Sequence, residues 1–270
     1  MFSTLLHLLP PRLAEKLFYR FVCGRASKNN GDRVQAKLLF ANGKCRLNCI
    51  RGDVIGDSLF YTGAFEPLAS TELMRIATND GGLLVDVGAN IGYFTCLWLS
   101  ANKANRCISV EASPRNIELL ESNINENGYS DRCELKRVAA SNQHGEVSFD
   151  QGPIAQTGWG GISEGIGSGL RVIRVPCVPL SDLVPVDVPI RLVKIDVEGA
   201  EALVLEGAEK LFRDKQVKEV WFEDNVARRE KLRISIDRLF SVLENNGYKV
   251  MKSSKENPLS MDFVAEREHD

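Results

Sequence analysis

Residues 83–95 read Leu-Leu-Val-Asp-Val-Gly-Ala-Asn-Ile-Gly-Tyr-Phe-Thr, and the fold turns on them. Leu83 to Val87 has the length and bulk of a buried parallel strand. It passes directly into Gly88-Ala89-Asn90-Ile91-Gly92. Ile91, Phe94, Thr95, Trp98 and Leu99 then share one face of a helix. Strand, glycine turn and helix open a doubly wound α/β sheet, whose ligands bind beyond the carboxyl ends of the strands.

What the turn lacks constrains the ligand. A dinucleotide fingerprint aligned on Gly88 needs further glycines where Asn90 and Tyr93 stand. The second glycine of that motif lets the backbone approach a pyrophosphate, and an Asn90 side chain obstructs this. Asn90 therefore disfavours a nicotinamide oxidoreductase. Asp86, at the strand end, repels phosphate and suits an ammonium group. A ligand with a nucleoside, an amino-acid tail and no phosphate fits, and S-adenosylmethionine is such a ligand. A turn that uses glycine for geometry alone is the competing reading.

Cys107 to Val110 is a second short strand, ending at Glu111, 19 residues after Gly92. That is near the ~20-residue offset at which a carboxylate meets ribose hydroxyls in this topology. Its two oxygens can accept from both hydroxyls of a cis-diol. Ser113-Pro114 then starts a helix, with Ser as N-cap and Pro in the first turn. The helix carries Ile117, Leu120 and Ile124 and stops near Asn127-Gly128.

Three motifs together resemble the FkbM family of class I S-adenosylmethionine-dependent methyltransferases. They are Val85 to Thr95, Val110-Glu111-Ala112-Ser113-Pro114, and Val193-Lys194-Ile195-Asp196-Val197-Glu198-Gly199-Ala200-Glu201 running on to Ala208. The first two are widespread among class I enzymes, and the third is the specific one. The resemblance runs from about Gly63 to the C-terminus. It implies a Rossmann-like α/β fold with a seven-stranded, mostly parallel sheet, an antiparallel last strand and helices on both faces. It also implies methyl transfer to a hydroxyl oxygen, a site without metal, and places for Glu66 and Glu223 in that site.

Asp196 ends its strand facing the ligand cleft, beside the first strand. Lys194 points to the same side by the two-residue period. Methyl transfer benefits from in-line geometry and from a base for the attacking hydroxyl. Asp196 or Glu198 is a candidate base, and Lys194 a candidate for stabilising the alkoxide. The competing reading has Glu198 capping the next helix and Lys194 pairing with Asp196. The expected catalytic set is Asp196, Lys194, Glu198 and Glu223. The expected cofactor contacts from the first turn are Asp86, Gly88, Ala89, Asn90, Gly92 and Tyr93. Glu111 and Ala112 follow from the second, Val138 and Ala139 from the 137–141 turn, and Glu66 and Asp196 complete the set.

One rival mechanism uses Asp196, Asp224 and Asn225 as Mg²⁺ ligands, as in catechol-type O-methyltransferases. A cofactor-binding protein without catalysis is a second alternative. Other matches fail on context. Gly161-Ile162-Ser163-Glu164-Gly165 fits a nucleophile elbow but lacks the flanking strand and helix. Pro176-Cys177 precedes the Asp196 strand, where a cytosine-methylating cysteine would follow it. Asp196-Val197-Glu198-Gly199 replaces the Pro-Pro-Tyr motif of amino-methylating nucleic-acid enzymes.

The 270 residues suffice for one α/β domain, and we expect residues 56–270 to form it. Residues 1–55 are expected to add a helix and a β-hairpin turning at Asn42-Gly43. A net charge of −2 gives no footprint for nucleic acid, so no nucleic-acid partner is expected. No run reaches the ~18 apolar residues of a spanning helix. The amphipathic helix over residues 5–23 packs on the domain or lies on a membrane surface or partner. Seven cysteines without paired zinc spacing read as reduced thiols in a cytoplasmic protein. The gly-rich stretch 151–169, with Gln156, Trp159 and Ser163, reads as a mobile loop over the substrate. The acceptor is expected to be a small-molecule or glycan hydroxyl, and the oligomeric state is left open.

Overall fold

The computed structural model describes Leu6 and residues 9–21, 31–153, 156–163, 172–214, 216–252 and 262–267. Its centre is a seven-stranded sheet. In chain order the elements before it are α1 (Pro11–Phe21), the hairpin strands β1 (Arg33–Lys37) and β2 (Arg46–Ile50), α2 (Val54–Thr62) and α3 (Pro67–Asn79). Then come β3 (Leu83–Val87), α4 (Tyr93–Ala101), β4 (Arg106–Val110), α5 (Pro114–Glu126) and β5 (Cys133–Lys136). An accessory unit follows, with β6 (Ala139–Ser141), β7 (Gly145–Asp150), β8 (Gly161–Ile162), β9 (Val172–Pro179) and the short α6 (Leu180–Leu183). The chain returns through β10 (Ile190–Ile195), α7 (Glu201–Gly207), α8 (Glu209–Arg213) and β11 (Glu219–Glu223). It finishes with α9 (Val226–Lys231), α10 (Ile236–Asn245), β12 (Tyr248–Lys252) and β13 (Asp262–Arg267).

The strand order is β12-β13-β11-β10-β3-β4-β5. Only β13 runs antiparallel, paired with β11 and β12. This is the sheet that the resemblance implies. After β3 the chain winds outward through β4 and β5, and later returns to place β10 on the other side of β3. The ends of β3 and β10 therefore flank the switch point where ligands bind in such sheets.

The two faces have separate cores. Val85 and Val193 pack with Val204, Leu205 and Leu239 on one side. Leu84 and Leu192 face the other, with Trp98, Leu97 and the hairpin residues Leu38, Leu47 and Cys49. The hairpin thus shares the second core. Asn42 and Gly43 both take positive φ, 50° and 68°, as the Asn-Gly turn predicts. Helix α4 is buried all round, from Tyr93 to Leu99, so its expected one-faced stripe is too narrow.

Several helices are short and closely spaced. Two helices precede β3, and they are separated at Gly63, which takes φ 70° and caps α2. Helices α7 and α8 meet at Ala208, and α9 and α10 are separated where Arg233 takes φ 56°. Helix α5 starts at Pro114, but Ser113 makes no side-chain cap. The buried face of α5 includes Asn116 and Asn123 as well as Leu119, Leu120 and Ile124, while Ile117 is half-buried.

Those asparagines have a structural logic. Asn123 Oδ1 accepts from the Asn48 amide at 2.7 Å, and its Nδ2 donates to the carbonyls of Asn48 (3.1 Å) and Ile91 (2.8 Å). One turn on, Asn127 exchanges two bonds with the Arg46 backbone, 3.0 and 2.7 Å. Side chains of α5 so satisfy the free edge of β2 as another strand would. Glu201 does similar work after β10. Its Oε1 accepts from the amides of Val197 and Gly199, both at 3.1 Å, and fixes the turn. Burial pushes the Glu201 pKa up to about 8, against the pull of those amides.

Asn123→Ala should orphan buried backbone groups at Asn48 and Ile91 and lower stability by about 1–3 kcal/mol or more. Denaturant titration measures this. Glu201 makes a pH prediction. Its folded pKa is raised, so the stability it contributes is complete below pH 4.5 and is lost as pH rises through about 8. The melting temperature of the wild type should therefore fall across that window relative to Glu201→Gln.

Candidate functional site

A cavity of about 460 Å³ opens at the carboxyl ends of β3, β4 and β10. Gly88, Ala89, Asn90 and Tyr93 line it from the first turn, and Glu111 and Ala112 from the second. Val138, Ala139, Lys194, Asp196, Glu198, Glu66 and Glu223 also line it. Gly88 is there for close approach: a Cβ on it would lie 1.9 Å from the Asp196 carbonyl oxygen, and its φ is +79°. Six non-glycine residues among those described have positive φ, and three of them, Glu66, Asn90 and Glu198, line this cavity. Strained backbone of this kind concentrates at functional sites.

Two expected contacts are displaced. Asp86 is buried beneath the cavity and does not line it. It accepts from Thr95 Oγ1 at 2.7 Å and is the register partner of Lys194. Burial raises its pKa, with Lys194 opposing. Its other oxygen, Oδ1, is buried without a hydrogen-bond partner among the described residues. Gly92 lies outside the lining as well. It starts α4 with φ +87°, and a Cβ there would press on Leu120 at 2.6 Å.

Glu111 is only 6% exposed. Its oxygens accept from the Asn90 amide at 2.7 Å and the Ser113 amide at 2.8 Å. These bonds aim the carboxylate and leave further lone pairs for a diol. Burial pushes its pKa up to about 7. Around it the cavity has polar atoms buried without a partner among the described residues: Asn90 Oδ1, Asn116 Oδ1, Gln156 Oε1 and Thr157 Oγ1. Such orphans are costly unless a ligand or water meets them. A carboxylate for a diol, unmatched amide and hydroxyl groups, and no phosphate cradle fit S-adenosylmethionine.

Part of the stretch expected as a mobile loop is tied down over this cavity. The Thr157 amide donates to Asp53 Oδ1 at 2.7 Å, and the Asn116 Nδ2 donates to the Thr157 carbonyl at 3.1 Å. Gln156 and Trp159 line the cavity, and Ser163 does not. Positions 154, 155 and 164–169 lie outside the described residues. The tie through Asp53 and Asn116 joins segments far apart in sequence, and local sequence carried no signal of it.

A second cavity, about 950 Å³, meets the first. The two share four lining residues, Glu66, Lys194, Asp196 and Glu223. Carboxylate oxygens of Glu66, Asp196 and Glu223 lie within 4.8 Å of one another, a spacing that would also suit a cation. Lys194 Nζ sits 3.0 Å from Asp196 Oδ2 and 4.8 Å from the centre of the Phe94 ring. Burial opposes the ammonium, but Asp196, Asp86 and Glu66 outweigh it and hold the Lys194 pKa above its usual value. Lys194 therefore does pair with Asp196, and the pair stands in the junction between the cavities.

Glu198 is not at that junction. It accepts from Asn225 Nδ2 at 2.6 Å and pairs with Arg228 at 3.7 Å, while Arg228 reaches the Trp159 carbonyl at 2.5 Å. Burial and the nearby Asp196 push its pKa up to about 7. The turn-capping role open to Glu198 belongs to Glu201. Asp224 and Asn225 do not join Asp196 either. Asp224 is fully buried against Arg229 at 2.6 Å, and Asn225 caps α9 while holding Glu198. The alternation of strand and turn sends Asp224 into the fold, so the expected alternative Mg²⁺ triad is not assembled.

Comparison with known proteins bears on the same elements. The methyltransferase FkbM domain matches residues 86–250, more than half of the chain. A hexuronic acid methyltransferase, AglP of Haloferax volcanii, is 28% identical over 181 residues, 60% of this chain and 71% of that protein. A tRNA wybutosine-synthesizing protein 2 homolog of Bos taurus is 32% identical over 96 residues, 33% of this chain. The match spans only 22% of that relative's length. The solved structure of precorrin-6y C5,15-methyltransferase from Geobacter metallireducens superposes with a TM-score of 0.45 at 10% identity, covering 76% of this chain and 90% of that one. The motifs that carried the resemblance and the domain match coincide on β3, β4 and β10 and their turns, and the chain belongs to the FkbM methyltransferase family.

Proposed function

We propose that this methyltransferase, with S-adenosylmethionine as its methyl donor, methylates a hydroxyl oxygen of a sugar, glycan or related natural product. One observation carries the reading. The cofactor cavity and the larger cavity adjoin, and the four residues they share are Glu66, Lys194, Asp196 and Glu223. A methyl group passing between two ligands would cross there. The sugar part is supported by the hexuronic acid methyltransferase, whose match is longer than the one to the tRNA-related protein.

Bound in the smaller cavity, S-adenosylmethionine would supply an electrophilic methyl on a sulfonium. Glu111 would hold the ribose diol, and Asn90, Asn116, Gln156 and Thr157 would offer the remaining polar partners. Asp196 would accept the proton of the acceptor hydroxyl, whose oxygen takes the place of the sulfur on the methyl carbon so that S-adenosylhomocysteine leaves. Lys194 keeps Asp196 oriented and balances part of the carboxylate charge. Glu66 and Glu223 place negative potential beside the cationic centre. Glu198 supports the Trp159 loop through Asn225 and Arg228. The reading is metal-free: Lys194 already pairs with Asp196, Asp224 and Asn225 face elsewhere, and the Glu66, Asp196 and Glu223 carboxylates are taken as the surroundings of the sulfonium, which the chelator test below checks against a cation.

Calorimetry should show S-adenosylhomocysteine binding and no NAD binding, and Glu111→Ala should weaken the former by about 1–3 kcal/mol. Mass spectrometry of a cell extract incubated with the protein and methyl-labelled S-adenosylmethionine identifies the acceptor. With that acceptor, Asp196→Asn should lower kcat by about 10²–10⁴ while S-adenosylhomocysteine affinity changes far less. A chelator should leave the wild-type rate unchanged. Loss with chelator and recovery with Mg²⁺ would contradict the metal-free site.

A further inference from the structure

Helix α1 lies outside the matched residues 86–250, and its side chains fall into ridges of residues four apart. Ala14 and Phe18 form the inner ridge, both buried, with the Phe18 ring 6.2 Å from that of Tyr61 on α2. Leu13, Leu17 and Phe21 run along one flank of that ridge. Glu15 and Tyr19 run along the other, Glu15 at the larger cavity and Tyr19 at the cofactor cavity. Arg12, Lys16 and Arg20 form the ridge opposite the buried one.

The domain covers the inner ridge and leaves the rest of the helix open. Leu17 is half-buried, but Leu13 and Phe21 are 44% and 45% exposed, and Tyr19 is 47% exposed. These are three of the seven large apolar side chains exposed among the described residues, gathered on one 11-residue helix. Single exposed apolar residues are ordinary on a surface, whereas a cluster of them marks a contact. The charge of the same face is one-sided. The exposed residues of α1 are Arg12, Leu13, Lys16, Tyr19, Arg20 and Phe21, with three cations and no anion. The one acid of the helix, Glu15, is half-buried on the cavity flank, where burial raises its pKa. The chain as a whole carries a net charge of −2, so this basic face is not a general property of the surface.

An apolar ridge beside a basic one suits a helix lying in a lipid headgroup layer. The apolar side chains enter the acyl boundary, and the long Arg and Lys stems keep their charges among the anionic headgroups. A protein partner fits less well. Stable protein interfaces bury about 800 Å² a side and are depleted in lysine at the centre, whereas this face is one helix wide with Lys16 in its middle. We propose that the outer face of α1 docks on an anionic lipid bilayer, with Leu13, Leu17 and Phe21 inserted and Arg12, Lys16 and Arg20 on the headgroups. The cofactor cavity, which Tyr19 of the same helix lines, then lies beside the membrane. Docking of this kind is independent of which acceptor is methylated.

The full chain is sedimented with large unilamellar vesicles of phosphatidylcholine alone, or of phosphatidylcholine with about 30% phosphatidylserine. Binding should be about tenfold or more tighter to the anionic vesicles and should fall as ionic strength is raised to about 0.5 M. The double variant Lys16→Glu, Arg20→Glu should weaken it by about tenfold or more, and Leu13→Gln with Phe21→Gln by a similar factor. The charge-matched control Lys103→Glu, Lys231→Glu, at exposed positions outside α1, should leave it unchanged. Melting temperature and S-adenosylhomocysteine affinity should match the wild type in every variant. Equal binding to the two vesicle types, binding to neither, or indifference to either α1 variant would overturn the proposal. If vesicles fail to bind and the same variants dissolve a dimer seen by sedimentation velocity, the face belongs to a second copy of the chain instead.

Discussion

A buried ammonium group organises this structure. Lys194 lies in the middle of the sheet, and a charge there is tolerated only if it is paired. The pairing comes from two directions. Asp86, its register partner on β3, supplies negative charge from beneath the cavity. Asp196, two residues on, supplies a hydrogen bond at 3.0 Å from the cavity side. The Phe94 face shields the ammonium laterally. In return the lysine lets three carboxylates gather within 4.8 Å without mutual repulsion dispersing them.

The backbone makes this possible. The Asp196 amide donates to the Val87 carbonyl at 3.0 Å, so β3 and β10 stay paired to their last residues. Gly88 then turns away past the Asp196 carbonyl, where no side chain would fit. Glu201 closes the turn that follows. The result is a rigid junction on strand ends, with the Glu111 carboxylate held by the amides of the neighbouring turns. Positioning of this kind is what a displacement reaction needs from a protein.

Much of this was legible in the chain. The apolar run ending in a glycine turn located β3, and Glu111 and Asp196 stand at strand ends as their spacing required. The Asn-Gly pair located the hairpin. What stayed hidden depends on direction or on distant partners. Asp86 has the chemistry of a ligand and shares the sheet face of Lys194, but it stands one pleat further from the strand end and is buried. Glu198 and Glu201 are both plausible caps by spacing, and only the backbone conformation decides between them. Asp224 resembles a metal ligand until Arg229 is seen to claim it. Asn116, Asn123 and Asp53 carry long-range bonds that leave no periodic trace. The helix break at Gly63 is a left-handed glycine cap, which the sequence could have signalled. The 1–55 and 56–270 division is a matter of sequence organisation, whereas the core beneath the hairpin is shared.

The most direct measurement is a crystal structure of the protein with S-adenosylhomocysteine bound. The account predicts the ribose hydroxyls on Glu111 and the sulfur at the junction of Glu66, Asp196 and Glu223, facing the larger cavity. A nucleoside bound away from Glu111, or a sulfur turned from Asp196, would contradict it.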